Sequence, residues 1–317
     1  MKKIVSLILL FTLAFCLCSC GNAVQESEGL QIVCTAFPQY DYIKNILGSD
    51  EVLTLLVDDG ADLHSYEPTA QDIIKLGTAD LFVYIGGSSD AWASGAIKSA
   101  NNPDLKTVAL MDTVDTLEEE YAAGMEHDHD HEHVEAHNGD HSGEDEHIWL
   151  SLKNAAKITD YLCNAVCEVD PQSAAIYRAN ADRYIEKLNA LDSEYQTVIN
   201  MSARNTLLFA DRFPFRYMTD DYSLTYYAAF AGCSSESEAS FETMAFLIDK
   251  TKELNLPFIL TIDGSDGSIA GMISGETGAK VLSLNSCQSV SAADIGQGAN
   301  YLDIMKNNLE ILREALN

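Results

Sequence analysis

The chain has 317 residues, and 47% of them are hydrophobic, a share typical of globular proteins with substantial cores. It carries 49 acidic against 19 basic residues, a net charge of −30 at pH 7, which argues against nucleic-acid binding because that function needs a basic face. Such an acidic field favours cationic ligands, although it could equally serve only to keep the protein in solution.

The first residues have the features of a targeting segment. Basic residues precede an apolar run from Ile4 to Leu17, which is too short to span a bilayer comfortably. At the end of this run stands the segment Leu17-Cys18-Ser19-Cys20, which resembles a bacterial lipobox. The resemblance implies a lipoprotein signal peptide over residues 1–19, lipidation of Cys20 and an N-terminal tether over residues 20–29, with an ordinary secretory signal as the alternative. Either way we expect an exported protein.

Strand and helix patterns then alternate, which is typical of an α/β domain. Thr69 is a predicted N-cap with Asp72 three residues later, an arrangement that favours a helix start. We interpret residues 30–170 as an N-terminal α/β lobe. Its predicted strands cover residues 31–37, 52–57 and 81–85, and its predicted helices cover a stretch ending at Gly48 and residues 69–76.

The pattern collapses between Glu118 and His147. This stretch holds 12 acidic residues, seven of the eight histidines and no Lys or Arg, so little apolar surface could stabilise an ordered structure. We expect a mobile His/acid-rich loop over residues 118–146. Imidazole and carboxylate groups suit Zn²⁺, Ni²⁺ and Cu²⁺, so the loop is predicted to collect metal ions, with a solvated low-complexity loop as the alternative. The accessory ligands would be His127, His129, His131, His133, His137 and His141.

A long helix is predicted next, over residues 171–200. Asp170 is a predicted N-cap, and Pro171 would occupy the first helical turn, where proline is tolerated. Apolar residues recur at alternating steps of four and three, and no Gly or Pro interrupts them, so we interpret the segment as a rigid strut between two lobes. The predicted buried seam is Tyr177, Ala181, Tyr184, Leu188, Leu191, Tyr195 and Val198.

Alternating elements resume in residues 201–317, which we interpret as a second α/β lobe similar to the first. Its predicted strands cover residues 206–210, 226–230, 258–262 and 280–284, and its predicted helices cover residues 218–222, 240–254, 268–277 and 301–316.

Five cysteines follow the leader. Cys163 and Cys167 are four residues apart in a helical pattern and are interpreted as small core residues. Cys233 and Cys287 could form a disulfide in an exported protein, but the sequence leaves this pairing open.

Two remaining histidines lie in recognisable contexts. His64 begins the segment HSYEPTAQD at 64–72, and His147 lies in EHIWLSLKNA at 146–155. Together these segments resemble the metal-binding proteins of the zinc and manganese ABC-importer family, which have one histidine before a Tyr-Glu-Pro-like turn and another in a His-x-Trp-Leu segment after a His-rich loop. The lipobox, the loop position and the long helix also match, so the resemblance covers essentially the whole mature chain.

The resemblance implies two α/β lobes joined by one long rigid helix, with the metal held in the inter-lobe cleft. It implies direct ligation by His64 and His147, and the His-rich loop is typical of the zinc branch, which favours Zn²⁺ over Mn²⁺. The expected protein is a lipid-anchored, extracytoplasmic solute-binding protein that delivers the metal to the permease of an ABC importer.

The second lobe departs from the family pattern. The family usually has a third His, or a Glu, after the first strand of this lobe, but residues 207–224 contain no His. Arg212 falls in the expected ligand position and cannot serve because it is a permanent cation, so the neighbouring Asp211 is the predicted third ligand. Asp263, Gln288 and Cys287 remain alternative sources of a ligand from this lobe.

Two other functions are consistent with the same residues. One is an exported zinc-dependent hydrolase with three ligands and an open position, although no hydrolase motif surrounds His64 or His147. The other is a metal-buffering adhesin on the same scaffold. The binding-protein hypothesis needs only capture and release of the ion, and it predicts no catalytic residues.

Overall fold

The structure, a computed structural model, describes residues 29–58, 63–125, 143–234 and 238–317. The predicted signal peptide, Cys20 and the tether up to residue 28 lie outside these ranges. So do the six histidines between residues 127 and 141, the predicted accessory metal ligands.

The first half of the chain is built on a parallel four-stranded sheet. Its strands are β1 Ile32–Cys34, β2 Leu53–Leu55, β3 Leu81–Tyr84 and β4 Lys106–Ala109. They are ordered β2-β1-β3-β4. All three residues of β1 are buried, as expected for the central part of a parallel sheet that is covered on both faces.

Three helices accompany this sheet: α1 Phe37–Leu47, α2 Ala70–Thr78 and α3 Ala93–Ala100. Gly48 caps the C-terminus of helix α1, and its φ of 83° lies in the left-handed region that glycine adopts readily. The predicted start of α2 is confirmed, because the Thr69 side chain and the Asp72 carboxylate form a reciprocal capping box.

The second half repeats this architecture, as predicted. Its parallel strands are β5 Thr206–Phe213, β6 Thr225–Ala231, β7 Phe258–Ile262 and β8 Lys280–Leu284. They are ordered β6-β5-β7-β8, the same relative order as in the first sheet. The predicted fold class, two α/β lobes, is therefore confirmed, and the sheet of each lobe is parallel.

Seven further α-helices are found in the described structure. They are α4 Leu152–Val169, α5 Ala174–Met201, α6 Arg216–Asp221, α7 Phe241–Glu253, α8 Ser268–Thr277, α9 Ala292–Gly296 and α10 Tyr301–Ala315. Helix α5 is the predicted long helix, and every residue of its predicted seam is buried, with Ile199 in addition. Residues 31–317 form one unit, so the boundaries assigned to the two lobes stay a prediction.

The predicted N-cap of the long helix was wrong. Asp170 caps the end of α4 instead, and Ser173 precedes the first residue of α5. The Tyr177 hydroxyl donates a hydrogen bond of 2.6 Å to Asp170 Oδ2. The Asp170 side chain therefore contacts α5 from outside the helix, but the residue itself is not the N-cap. A turn over residues 171–173 therefore separates the two helices.

Contacts from the segment after residue 146 tie the two halves together. Trp149 is fully buried, and its indole N–H donates to the backbone carbonyl of Ser286 at 2.9 Å. Tyr301, at the start of α10, donates its hydroxyl to the Trp149 carbonyl at 2.5 Å. The residues next to His147 are therefore fixed against the second lobe.

The described cysteines are all free thiols, so the disulfide between Cys233 and Cys287 that the sequence left open is not formed. Cys163 is fully buried on α4, with its sulfur 4.0 Å from that of Cys167. Across residues 29–58, 63–125, 143–234 and 238–317, none of the helices combines the length and the apolar character needed to cross a bilayer.

Candidate metal centre

His64 lies in a short 3-10 helix, Leu63–Ser65, that follows strand β2. Leu63 is buried beside it and fixes this turn in the core. The His64 Nδ1 atom is 2.6 Å from the hydroxyl oxygen of Ser89, which follows strand β3. When Nδ1 carries the proton and donates to this oxygen, the Nε2 lone pair is directed elsewhere and can bind a metal.

His147 is held more tightly. It is fully buried, and it directly precedes a buried 3-10 helix, Ile148–Leu150. One carboxylate oxygen of Asp145 accepts from the His147 backbone N–H at 2.8 Å and lies 3.0 Å from its Nδ1. The buried Nε2 atom has no hydrogen-bond partner in the described structure. A carboxylate on one ring nitrogen and an open second nitrogen is the usual arrangement of a metal-binding histidine.

The structure brings these two predicted residues together and adds a third that was not predicted as a ligand. The rings of His64 and His147 have centroids 5.4 Å apart. Cys233, two residues beyond strand β6, points its sulfur at the same place. One ring nitrogen of each histidine and the Cys233 sulfur all lie within 4.8 Å of one another.

The backbone at Gly232 and Cys233 lies close to the site. Its N–H donates to Glu119 Oε1 at 2.9 Å. The preceding residue, Gly232, packs against the His147 ring so tightly that a Cβ atom there would lie 2.9 Å from the ring Cε1. Only glycine permits this approach without movement of the ring, so the sequence Gly232-Cys233 is matched to the position of His147.

Three carboxylates, two of them buried, lie around His147 and Cys233. Burial lowers the pKa of His147, but the nearby carboxylates of Asp145, Glu146 and Glu119 outweigh this effect and leave it above its ordinary value. Burial, followed by Glu119, Glu146 and Asp145, raises the pKa of the Cys233 thiol well above its usual range. The site is therefore a buried region of negative potential, which favours a divalent cation.

Glu146 also lies near the three donors, and one of its carboxylate oxygens binds the loop after strand β3. Its Oε1 accepts from the Ser88 hydroxyl at 2.7 Å and from the Ser89 backbone N–H at 2.9 Å. Since Ser89 also contacts His64, this glutamate connects the loops that carry the two histidines.

The predicted ligand Asp211 is placed elsewhere in the second lobe. It lies at an irregularity near the end of β5, where Oδ1 accepts from the Arg212 N–H at 2.9 Å and Oδ2 is buried without a hydrogen-bond partner among the described residues. Its carboxylate is not part of the group formed by His64, His147 and Cys233. The assignment of Asp211 as a ligand therefore stays a prediction that no contact with these donors supports.

The alternative second-lobe donors lie near Asp211 or in the core. Asp263 and Gln288 line one cavity of about 190 Å³ together with Asp211 and Arg212. Cys287 is fully buried, and burial raises the pKa of its thiol well above its usual range. In the described chain, none of these side chains joins the group around His147.

Three donors of this kind can hold a transition metal. Zn²⁺ is typically tetrahedral, with bonds of about 2.0–2.1 Å to imidazole nitrogen and about 2.3 Å to sulfur, so its ligand atoms lie about 3.3–3.6 Å apart. Small side-chain rotations would bring donors at the observed separations into this range. A fourth position would remain for water or a carboxylate, as in many zinc sites with three protein ligands.

Comparison with known proteins shows that relatives of this chain bind or take up zinc. A family profile described as "Zinc-uptake complex component A periplasmic" matches residues 32–315. The chain is 30% identical over 316 residues to the high-affinity zinc uptake system protein ZnuA of Bacillus subtilis, covering 97% of each chain. It is also 30% identical over 314 residues to the zinc-binding lipoprotein AdcA of Streptococcus pneumoniae. That match covers 99% of this chain but only 61% of the relative's length.

A solved structure has the same fold. The Zn(II)-bound ZnuA-like domain of Streptococcus pneumoniae AdcA superimposes with a TM-score of 0.72 at 27% identity, covering 90% of this chain and 98% of that domain. The relatives are described as zinc-uptake or zinc-binding proteins, so they do not favour the hydrolase or adhesin alternatives.

Proposed function

The chain belongs to the family of periplasmic zinc-uptake complex component A proteins, and we propose that it captures Zn²⁺ outside the cytoplasm and delivers it to an ABC importer. The observation that carries this proposal is the convergence of His64 and His147. These residues come from segments far apart in the sequence, and their rings meet with centroids 5.4 Å apart. Each ring also has its Nδ1 atom next to an oxygen that can fix the metal-binding tautomer.

Delivery requires that the ion bind and leave, and the described side chains suit this task. Neutral imidazoles bind Zn²⁺ well, and the buried carboxylates around them attract the ion. The ligands come from loops on different elements, so a shift of one loop or lobe relative to the other would separate the donors and release the ion. No nucleophile or general base has a role in this sequence of events.

Zn²⁺ is the proposed cargo rather than Mn²⁺. Imidazole is a preferred ligand of Zn²⁺, whereas Mn²⁺ favours carboxylate, carbonyl and water oxygens. Both histidines contribute imidazole to one buried position, and zinc is the metal named in the descriptions of the family and its relatives.

The remaining partners follow from the same proposal. The permease of an ABC importer would accept the ion from the inter-lobe site. A lipid on Cys20 would hold the protein at the outer face of the bacterial cell membrane, close to that permease. The histidines of the 118–146 loop, including His137, would collect additional ions weakly and raise their local concentration.

Substitution of the two histidines tests the proposal. His64→Ala and His147→Ala should each weaken the tight Zn²⁺ site by more than the roughly 10–100-fold that loss of an outer partner typically costs. Isothermal titration calorimetry on the full exported chain would measure this, with His137→Ala as the matched control that keeps the tight site. Unchanged tight binding in His64→Ala and His147→Ala would place the zinc site elsewhere.

A further inference from the structure

The donor from the second lobe is the least expected part of the metal centre. Family resemblance implies a His or Glu after the first strand of this lobe, and this chain has Asp211 and Arg212 there. The sulfur of Cys233 is the atom that the second lobe places within 4.8 Å of the donor nitrogens of His64 and His147.

The position of Cys233 in the fold is equivalent to that of His64. Both sheets have the strand order two-one-three-four, counted within each lobe. His64 lies in the loop after β2, the second strand of the first sheet, and Cys233 lies in the loop after β6, the second strand of the second sheet. Ligands in α/β folds typically bind beyond the carboxyl ends of parallel strands, so each lobe presents one donor from the same place.

The surroundings of Cys233 hold its sulfur toward the histidines. The Glu119 carboxylate accepts its backbone N–H at 2.9 Å, and Gly232 lies directly against the His147 ring. The His147 Nε2 atom is buried and without a partner in the described structure. A buried nitrogen without a partner is costly unless it binds something, because buried polar atoms are normally satisfied, and the Cys233 sulfur lies within 4.8 Å of a His147 ring nitrogen.

We propose that Cys233 binds Zn²⁺ as a thiolate and is the ligand that the second lobe contributes, in place of Asp211. The assignment rests on the proposed zinc-binding function and specifies its coordination as two imidazoles, one thiolate and one further position. On binding, the thiol proton leaves for solvent or a nearby carboxylate, and a sulfur–zinc bond forms without any change in oxidation state.

The assignment changes the expected metal selectivity. Thiolate is a soft ligand that favours Zn²⁺, whereas a carboxylate such as Asp211 is a hard ligand that suits Mn²⁺. A site with Cys233 should therefore discriminate against Mn²⁺ more strongly than the predicted site with Asp211.

Cobalt(II) substitution tests the proposal, because a thiolate bound to Co²⁺ gives an intense near-ultraviolet charge-transfer band that nitrogen and oxygen ligands lack. The full chain would be loaded with one equivalent of Co²⁺ under reducing, oxygen-free conditions. We expect the band in the parent and in Cys167→Ser, the control thiol on α4, and its loss in Cys233→Ser. Zn²⁺ affinity should fall at least about tenfold in Cys233→Ser, and circular dichroism of the metal-free variant would verify its fold.

Three results would overturn the thiolate assignment. The parent could bind Co²⁺ without the band, Cys233→Ser could keep the band, or Asp211→Ala rather than Cys233→Ser could lose tight Zn²⁺ binding. In each of these cases, loss of binding in His64→Ala and His147→Ala would leave the proposed function standing. A parent protein that binds no Zn²⁺ tightly would refute both proposals.

Discussion

At the scale of single residues, the sequence identified His64 and His147 through the segments around them, but it did not identify the groups that hold them. Asp145 lies among acidic residues that are interpreted as part of a low-complexity loop. Its contact with His147 depends on the backbone turn before Ile148–Leu150, which brings a carboxylate two residues away onto the ring. Composition alone does not predict such a turn.

Cys233 was considered in the sequence only as a possible disulfide partner of Cys287. Its role could have been inferred from its place just beyond an apolar strand and directly after a glycine, in the loop equivalent to that of His64. This inference requires the strand order of both sheets, which depends on long-range pairing rather than on local pattern. Asp211 was favoured because it is adjacent in sequence to the expected ligand position.

Asp41 provides a test at the residue scale away from the metal. It lies on α1 and is 3% exposed, and Tyr184 on α5 donates its hydroxyl to Oδ2 at 2.9 Å. Burial raises the pKa of Asp41 to about 6, although hydrogen bonds from Tyr184 and the Tyr301 backbone and the charge of Lys44 act to lower it. Asp303 contributes a small effect in the raising direction.

A raised carboxyl pKa stabilises the fold at low pH. This contribution to the free energy of unfolding is fully present below the unfolded pKa of about 3.9 and is lost as the pH rises through about 6. A pKa difference of this size corresponds to about 3 kcal/mol. Asp41→Asn keeps a neutral side chain at every pH. Urea unfolding of the metal-free protein should therefore show a stability advantage of the Asp41→Asn variant over the parent that grows between about pH 4 and pH 7.5.

Asp50 is the matched control. It is only partly buried, and Lys44 lowers its pKa, so Asp50→Asn should lose stability relative to the parent as the pH rises through the acidic range. An Asp41→Asn variant whose stability tracked the parent at every pH would show that Asp41 ionises normally inside the fold.

At the scale of elements, periodicity predicted most of the described structure, but it missed helix α3 and strand β4 and extended the first strand to Phe37, where α1 begins. The strands at 258–262 and 280–284 and the helix at 268–277 have the predicted bounds. Every predicted residue of the α5 seam is buried, and only Ile199 was missed among the buried residues of this helix, because an uninterrupted helix with one apolar period buries one face. The start of α5 was missed, because a turn over residues 171–173 separates Asp170, which ends α4, from Ser173, the N-cap of α5.

The ends of the His/acid-rich segment form an ordered stem next to the metal centre. Glu118 and Glu144 form an antiparallel bridge, and the Glu119 N–H donates to the Gly143 carbonyl at 2.9 Å. The Tyr217 hydroxyl accepts from the Leu117 N–H and donates to the Asp145 carbonyl. Glu119 and Asp145 in this stem contact Cys233 and His147, so the stem belongs to the tight site.

Deleting residues 127–141 and joining the ends with a short glycine linker tests the division between loop and stem. The shortened chain should keep one tight Zn²⁺ site, since every residue of the stem remains, and it should bind fewer ions weakly. Zinc titration calorimetry would count both classes. A matched deletion that also removes residues 143–145 should weaken the tight site, because it removes Asp145 from His147.

Loss of the tight site on deletion of residues 127–141 alone would contradict this division. It would place a ligand of the tight site among the loop histidines.

At the scale of the whole molecule, two sheets of the same strand order each present a donor from the loop after their second strand. His147 is the third donor, and Trp149 fixes its segment against the second lobe. The net charge of the chain and the carboxylates around His147 and Cys233 are both negative. The electrostatic potential should therefore attract cations both toward the protein and into the site. This arrangement suits capture of a divalent ion between two lobes.

The most direct test of a zinc site between the lobes is anomalous diffraction at the zinc edge from crystals of the zinc-loaded protein. The structure predicts one strong peak bonded to a ring nitrogen of His64 and of His147 at about 2.0–2.1 Å and to the Cys233 sulfur at about 2.3 Å. A strong peak away from both histidines would contradict the zinc-binding site. A peak bonded to both histidines and an Asp211 carboxylate oxygen, with no sulfur ligand, would contradict the assignment of Cys233.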